Sequence, residues 1–278
     1  MNLIRFVNKY CDSRPLKPTS VYQLKHAAAS FSKSTGVTRT RALTREAIMN
    51  YARSETGRLS PHTIKARVAR LSGIWRSAAA AGLAPEYERV PSHKAPRMII
   101  RATPPQTVER LVRACQNVHG KIRGTSIPRN VYWPAFAAAS YETLLRTSDL
   151  LQLRWSPVGR WSLIQIKTGN PVTVSVWPDT LELVKRLADV SPTLFDLGWS
   201  REWYCRGLQS IARRAGIVIS PQQLRRSAAS EAERQRPGTA YRLLGHVDQG
   251  TTQRWYLDHG YVHDGLRGPR IQRRDTGS

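Results

Sequence analysis

One stretch of this chain breaks with its surroundings. From Arg160 to Pro178, "RWSLIQIKTGNPVTVSVWP" alternates in polarity and is rich in β-branched residues. Alternation puts every second side chain on one face, as a half-buried strand requires. The middle of the stretch carries turn residues, so it predicts a β-hairpin around Thr168-Gly169-Asn170. Helical patterning lies on both sides. The expected fold class is therefore mainly α with a small β-hairpin or sheet, an α+β chain.

The helices announce themselves by their ends. "SVYQLKHAAASFSKSTG" follows Pro18-Thr19 and stops at Gly36. "TREAIMNYARSETG" has Thr44 as its N-cap and again ends at a glycine. In "SPHTIKARVARLSGIWRSAAAAG", Ser60 caps and Pro61 opens the helix, while Ile64, Val68, Leu71 and Trp75 recur at helical spacing. Lys65, Arg67, Arg70 and Arg76 lie largely off that apolar face. A face with one sign of charge and no acidic partners fits phosphate contact better than a solvated surface.

Next comes "APEYERVPSHKAPRMIIRATPP", rich in Pro and basic residues and without a helical or strand period. It reads as a linker, and Lys94, Arg97 and Arg101 make it a positive strap. The expected division is a helical domain at 1–85, a linker at 86–104, and a second domain at 105–278 with a basic tail. In that second domain, "PPQTVERLVRACQNV" opens a helix and "NVYWPAFAAASYETLLRTSDLLQLRW" reads as one or two more. After the hairpin, "TLELVKRLADV", "REWYCRGLQSIARRAG", "SPQQLRRSAASEAERQ" and "TAYRLLGHVD" return to helix.

Charge narrows the partners. The 44 Lys and Arg against 19 Asp and Glu give a formal net charge of +25. Such self-repulsion points to a polyanionic partner, and basic residues spread along the whole length suit a protein that wraps it. Arg outnumbers Lys, which favours bidentate phosphate contacts. A basic RNA-binding protein without chemistry has the same composition. Cys11, Cys115 and Cys205 fall in no metal or disulfide pattern, so neither is expected. The charged N-terminus does not read as a signal peptide, and no apolar run is long enough for a membrane span. A soluble, cytoplasmic, nucleoid-associated protein is expected.

Several chemistries have little support. Two-metal hydrolysis needs clustered carboxylates, and the chain has no D-x-D or H-x-x-E constellation. It has no G-x-x-x-x-G-K-[ST] phosphate loop either. No metal or other cofactor is expected, and chemistry on a phosphate backbone falls to Arg, Lys and Tyr. Three segments offer these: Arg146 in "LLRTSDLLQLRW", with Asp149 three residues on to orient it; Lys167 at the hairpin tip; and Arg225 in the first turn of its helix, with Arg226 beside it.

In order and wording these segments resemble the tyrosine recombinase, or phage integrase, family over essentially the whole chain. The family's "T-G-x-R-x-x-E-L-x-x-L-x-W" motif is matched by "LLRTSDLLQLRW", its hairpin "K-T-G" by "QIKTGNPVTV", its "H-x-L-R-[HR]" box by "QQLRRS", and its "L-G-H" box by "LLGHVD". The N-terminal region resembles the family's core-binding domain. The resemblance implies a catalytic set of Arg146, Lys167, Gln222, Arg225, His246 and Tyr256. It also implies double-stranded DNA as partner, a homo-tetramer on DNA, and a metal-free, ATP-free transesterification through a 3′-phosphotyrosyl link.

Two departures qualify the match. Gln222 stands where the family has His; it can donate a hydrogen bond but not act as a base near neutral pH. The usual spacing places the nucleophile nine residues after the "L-G-H" His, which here is Trp255; Tyr256 is tenth. Either one residue was inserted before Tyr256, or Trp255 occupies the nucleophile's position. On a regular helix the offset turns a side chain by about 100°. A degenerate relative acting as an architectural or regulatory DNA-binding protein is the alternative reading. A type IB topoisomerase-like enzyme, with similar chemistry, is a third.

Overall fold

The computed structural model describes residues 1–96, 102–236 and 238–245. The chain forms two compact units, Met1–Met98 and Ile99–Ser278. Its described part is mostly helical with one two-stranded antiparallel sheet, as the alternation pattern leads one to expect.

The first unit contains α1 (Leu3–Asp12), α2 (Pro18–Thr35), a 3-10 turn at Thr40–Ala42, α3 (Arg45–Ser54) and α4 (Pro61–Ala80). Three of its caps are those the sequence signals, whereas α2 starts earlier, at Pro18 without a side-chain cap, and α3 stops at Ser54, short of Gly57. Thr44 accepts from the Ala47 N–H, and Ser60 from the Thr63 N–H. Gly36 ends α2 in the left-handed region at φ 73°. Ile64, Val68, Leu71 and Trp75 are all buried, together with Phe31, Ile48 and Tyr51 from α2 and α3. Leu3, Phe6, Val7 and Cys11 line the inner face of α1.

The second unit contains α5 (Pro105–Gln116), α6 (Arg129–Glu142), α7 (Thr147–Leu150), β1 (Arg160–Ile164), β2 (Pro171–Ser175), α8 (Pro178–Ala188), α9 (Arg201–Arg214), α10 (Pro221–Gln235) and α11 (Thr239–Leu244). α6 is its axis: every residue from Tyr132 to Glu142 is buried. A helix that is apolar on all sides has no solvent face, and α5, α8 and α10 surround it. The glycine at 207 in α9 is required by this packing, because a Cβ there would overlap the Trp133 ring. At the end of α6, Glu142 is 1 % exposed. It accepts hydrogen bonds from the Trp177 N–H (2.9 Å) and the Thr180 hydroxyl (2.8 Å), and so caps α8.

"NVYWPAFAAASYETLLRTSDLLQLRW" resolves into two helices because the chain reverses between them, with Leu144 at φ 53°. A leucine in that region is held at a cost of about 1 kcal/mol or more. β1 and β2 pair from Arg160↔Ser175 to Ile164↔Pro171, leaving a loop at 165–170. Gly169, at φ 73°, supplies its turn.

Candidate active site

The site forms where four pieces of the second unit meet: the turn at 144–146, the hairpin loop, α10, and the end of α11. Arg146 is the N-cap of α7, with its side chain 23 % exposed. Its Nη1 donates to Gln165 Oε1 at 3.0 Å and lies 3.7 Å from Asp149 Oδ2. Asp149 is fully buried, and its Oδ1 accepts from the Ile166 N–H at 2.9 Å. The aspartate therefore holds the hairpin backbone by a hydrogen bond and faces Arg146 only as a longer ion pair.

Gln165 is also fully buried. Its Oε1 accepts from Thr168 Oγ1 at 2.8 Å, and its Nε2 donates to the Leu244 carbonyl at 3.0 Å. Arg225, 2 % exposed, donates from Nη2 to the same Leu244 carbonyl at 3.3 Å and from Nη1 to the Leu144 carbonyl. Asn170 Nδ2 donates to the Gly245 carbonyl at 3.1 Å. Lys167 sits between these ties, exposed in the loop.

Arg146, the Lys167 loop and Arg225 are thus brought together. Gln222, exposed near the start of α10, lies about one turn before Arg225. One detail differs from expectation. α10 begins at Pro221, so Arg225 opens the second turn rather than standing in the first. Its burial comes from the long reach across to Leu144 and Leu244, not from a free helix terminus. Arg226 is half-buried, and its Nε has no hydrogen-bond partner among the described residues. His246 and Tyr256, like Trp255, Arg97 and Arg101, lie outside the described residues. Sequence reasoning missed Gln165 and Asn170. A polar residue at an inward hairpin position, two residues before the lysine, was the available signal for Gln165.

The basic residues of the first unit divide. Lys65 and Lys94 are exposed. Arg70 Nη2 donates to Gln23 Oε1 at 2.5 Å, across α4 and α2. Arg67 turns inward: its Nη1 donates to Ser30 Oγ (2.6 Å) and Tyr51 Oη (3.0 Å), joining α2, α3 and α4. Tyr22, His26, His62, Arg67 and Arg70 border a shallow groove between α2 and α4. Among the described residues no helix is long and apolar enough to cross a membrane, and no cluster of three His, Cys, Asp or Glu is placed to hold a metal ion.

The fold is that of DNA-bound integrases. A crystal structure of a lambda integrase (75-356) dimer bound to a COC′ core site matches at a TM-score of 0.71 and 17 % identity, over 89 % of this chain and 96 % of that one. A lambda integrase tetramer bound to a Holliday junction matches at 0.72 and 17 % identity, over 96 % and 80 % of the two chains. The Tn1549 transposon integrase (aa 82-397), in complex with circular intermediate DNA, matches at 0.66 and 12 % identity, over 94 % and 96 %. No curated protein matches the sequence. Residues 101–263, more than half of the chain, match the Phage integrase family. The chain belongs to that family, the tyrosine recombinases.

Proposed function

We propose that this protein is a site-specific DNA recombinase that breaks and rejoins duplex DNA through a 3′-phosphotyrosyl intermediate, without a metal ion or ATP. The observation that supports it most is the convergence of Arg146, the Lys167 loop and Arg225 on the Leu244–Gly245 backbone. That backbone leads directly into His246.

In this reading the Tyr256 oxygen attacks the phosphorus and the bond to the 5′-oxygen breaks. Lys167 supplies the proton that makes the 5′-oxygen a free hydroxyl. Arg146 and Arg225 stabilise the charge on the non-bridging oxygens, and His246 and Gln222 add hydrogen bonds to them. A guanidinium carries five donor hydrogens, so holding two backbone carbonyls is compatible with a phosphate contact at Arg225. The phenolic proton leaves to solvent, because Gln222 has no basic nitrogen. A 5′-hydroxyl then attacks the phosphotyrosine, restoring the phosphodiester and the tyrosine. The covalent link conserves the bond energy, which is why no nucleotide is consumed.

Lys65, Arg67, Arg70, Lys94, Arg97, Arg101 and Arg226 contact the duplex in this reading, and four copies assemble on two duplexes to exchange strands. Gln222 and Trp255 favour a second reading, a DNA-binding relative that has lost cleavage.

The test is a suicide substrate: a nicked duplex bearing the candidate core site, with the covalent protein–DNA band read on a denaturing gel. The expected result is a band that survives EDTA and disappears in Tyr256→Phe and Arg146→Ala. Tight, salt-sensitive DNA binding with no band establishes the second reading instead.

A further inference from the structure

Gln165 makes three side-chain hydrogen bonds within the site, and the family motifs do not include it. Its amide orientation is fixed by chemistry. A guanidinium only donates and a carbonyl only accepts, so the oxygen must face Arg146 and the nitrogen must face Leu244, as observed. Thr168 adds a second donor to the same oxygen. The neighbouring backbone is shaped around this amide: a Cβ on residue 245 would come within 3.1 Å of Gln165 Nε2, so Gly245 leaves it room. At the other end of the loop, Asn170 ties to the Gly245 carbonyl. Lys167 lies between the two ties.

We propose that Gln165 is a positioning residue for strand cleavage: its amide locks the Arg146 guanidinium and the Lys167 loop to the Leu244 carbonyl at the end of α11. The inference rests on the recombinase reading. Arg146 has four torsions between its backbone and its charge, and its ion pair with Asp149 is long at 3.7 Å. The Gln165 bond, at 3.0 Å, is shorter than that ion pair. Because the same amide grips the Leu244 carbonyl, it couples the Arg146 guanidinium to the end of α11.

The test uses the full chain in single-turnover cleavage of the nicked duplex. Gln165→Met keeps the length and removes the polar groups. Misplacement of a reacting group by about 1 Å costs on the order of 100-fold. The expected result is therefore a covalent-complex rate lower by about 10- to 100-fold, with the dissociation constant for the duplex unchanged within about threefold. A fold-stabilising amide would act independently of Arg146; a positioning one acts in part through it. In an Arg146→Lys background only the share that runs through the Lys167 loop remains, so Gln165→Met is expected to slow cleavage by a clearly smaller factor than it does in the wild type.

Equal slowing in both backgrounds overturns the proposal, as does an unchanged rate in the folded variant. If Gln165→Met does not fold, Thr168→Val decides, since it withdraws one donor from the amide at an exposed loop position. Cleavage slower by about three- to tenfold at unchanged affinity supports the proposal, and an unchanged rate overturns it. A wild-type chain that binds but forms no covalent complex sinks the recombinase reading and this inference with it. Cleavage by wild type and Gln165→Met at equal rates sinks this inference alone.

Discussion

The first unit buries almost only hydrocarbon, whereas the second threads polar groups through its interior. Among the described residues, the buried polar side chains of Met1–Met98 are Thr40 and Glu55. Those of the second unit include Glu142, Thr143, Asp149, Gln165, Thr180 and Arg225. In the first unit, helices meet mainly along apolar stripes and end at short polar caps, with polar ties at Arg67 and at Thr40, whose hydroxyl donates to the Leu83 carbonyl. In the second, the helix ends, the hairpin and the turn at 144–146 are joined by side chains reaching backbone groups over long sequence separations. A buried polar group is costly unless it is bonded, so each such tie permits few alternative arrangements. The comparison teaches that the apolar stripes build the elements and the polar ties aim them.

Substitutions sharpen this contrast. The largest effect is expected from Glu142→Ala, which takes the carboxylate acceptor away from the part-buried Trp177 N–H and the buried Thr180 hydroxyl. Stability is expected to fall by about 3 kcal/mol, while Glu142→Gln, which keeps an acceptor, loses much less; denaturant titration of the pair checks this. Gly207→Ala comes next, at about 2 kcal/mol, because the added methyl overlaps the Trp133 ring. Its near-UV circular dichroism should change with it, as Trp133 stacks on Trp203 at 5.6 Å.

In the first unit, Ser60→Ala removes a cap and should cost only about 1 kcal/mol. A loss as large as that of Glu142→Ala would erase the distinction drawn between the units. The smallest effects concern DNA. Lys65→Ala is expected to lower the slope of log affinity against log salt by about 1, with no change in melting temperature. Arg67→Ala should lower the melting temperature as well, because Arg67 holds Ser30 and Tyr51.

These contrasts also explain what the sequence made legible. Helix starts at Ser60, Thr44 and Ser220 were readable because a cap is a local event, settled by residues a few positions apart. The hairpin was readable because alternation and a turn are equally local. Arg146, Lys167 and Arg225 could be picked out by motif, and the structure gathers their segments. What no local pattern carries is the partner of a buried polar group. Gln165 looks like any strand-end glutamine until Leu244 is placed against it. Arg67 sits off the apolar stripe close to exposed Lys65, and only the positions of Ser30 and Tyr51, on other helices, show that its Nη1 bonds inward.

The ties around Leu144 and Leu244 have a consequence for how the protein is made. The Arg225–Leu144 bond closes 81 residues of chain and the Gln165–Leu244 bond closes 79. Contacts so distant in sequence form late, after the loops between them have been closed. During synthesis, which delivers the N-terminal end first, Arg146 and Lys167 emerge long before the Leu244 carbonyl to which Gln165 and Arg225 bond. A nascent chain therefore carries two of its cations before these long-range ties can close, and their last partner arrives only with α11.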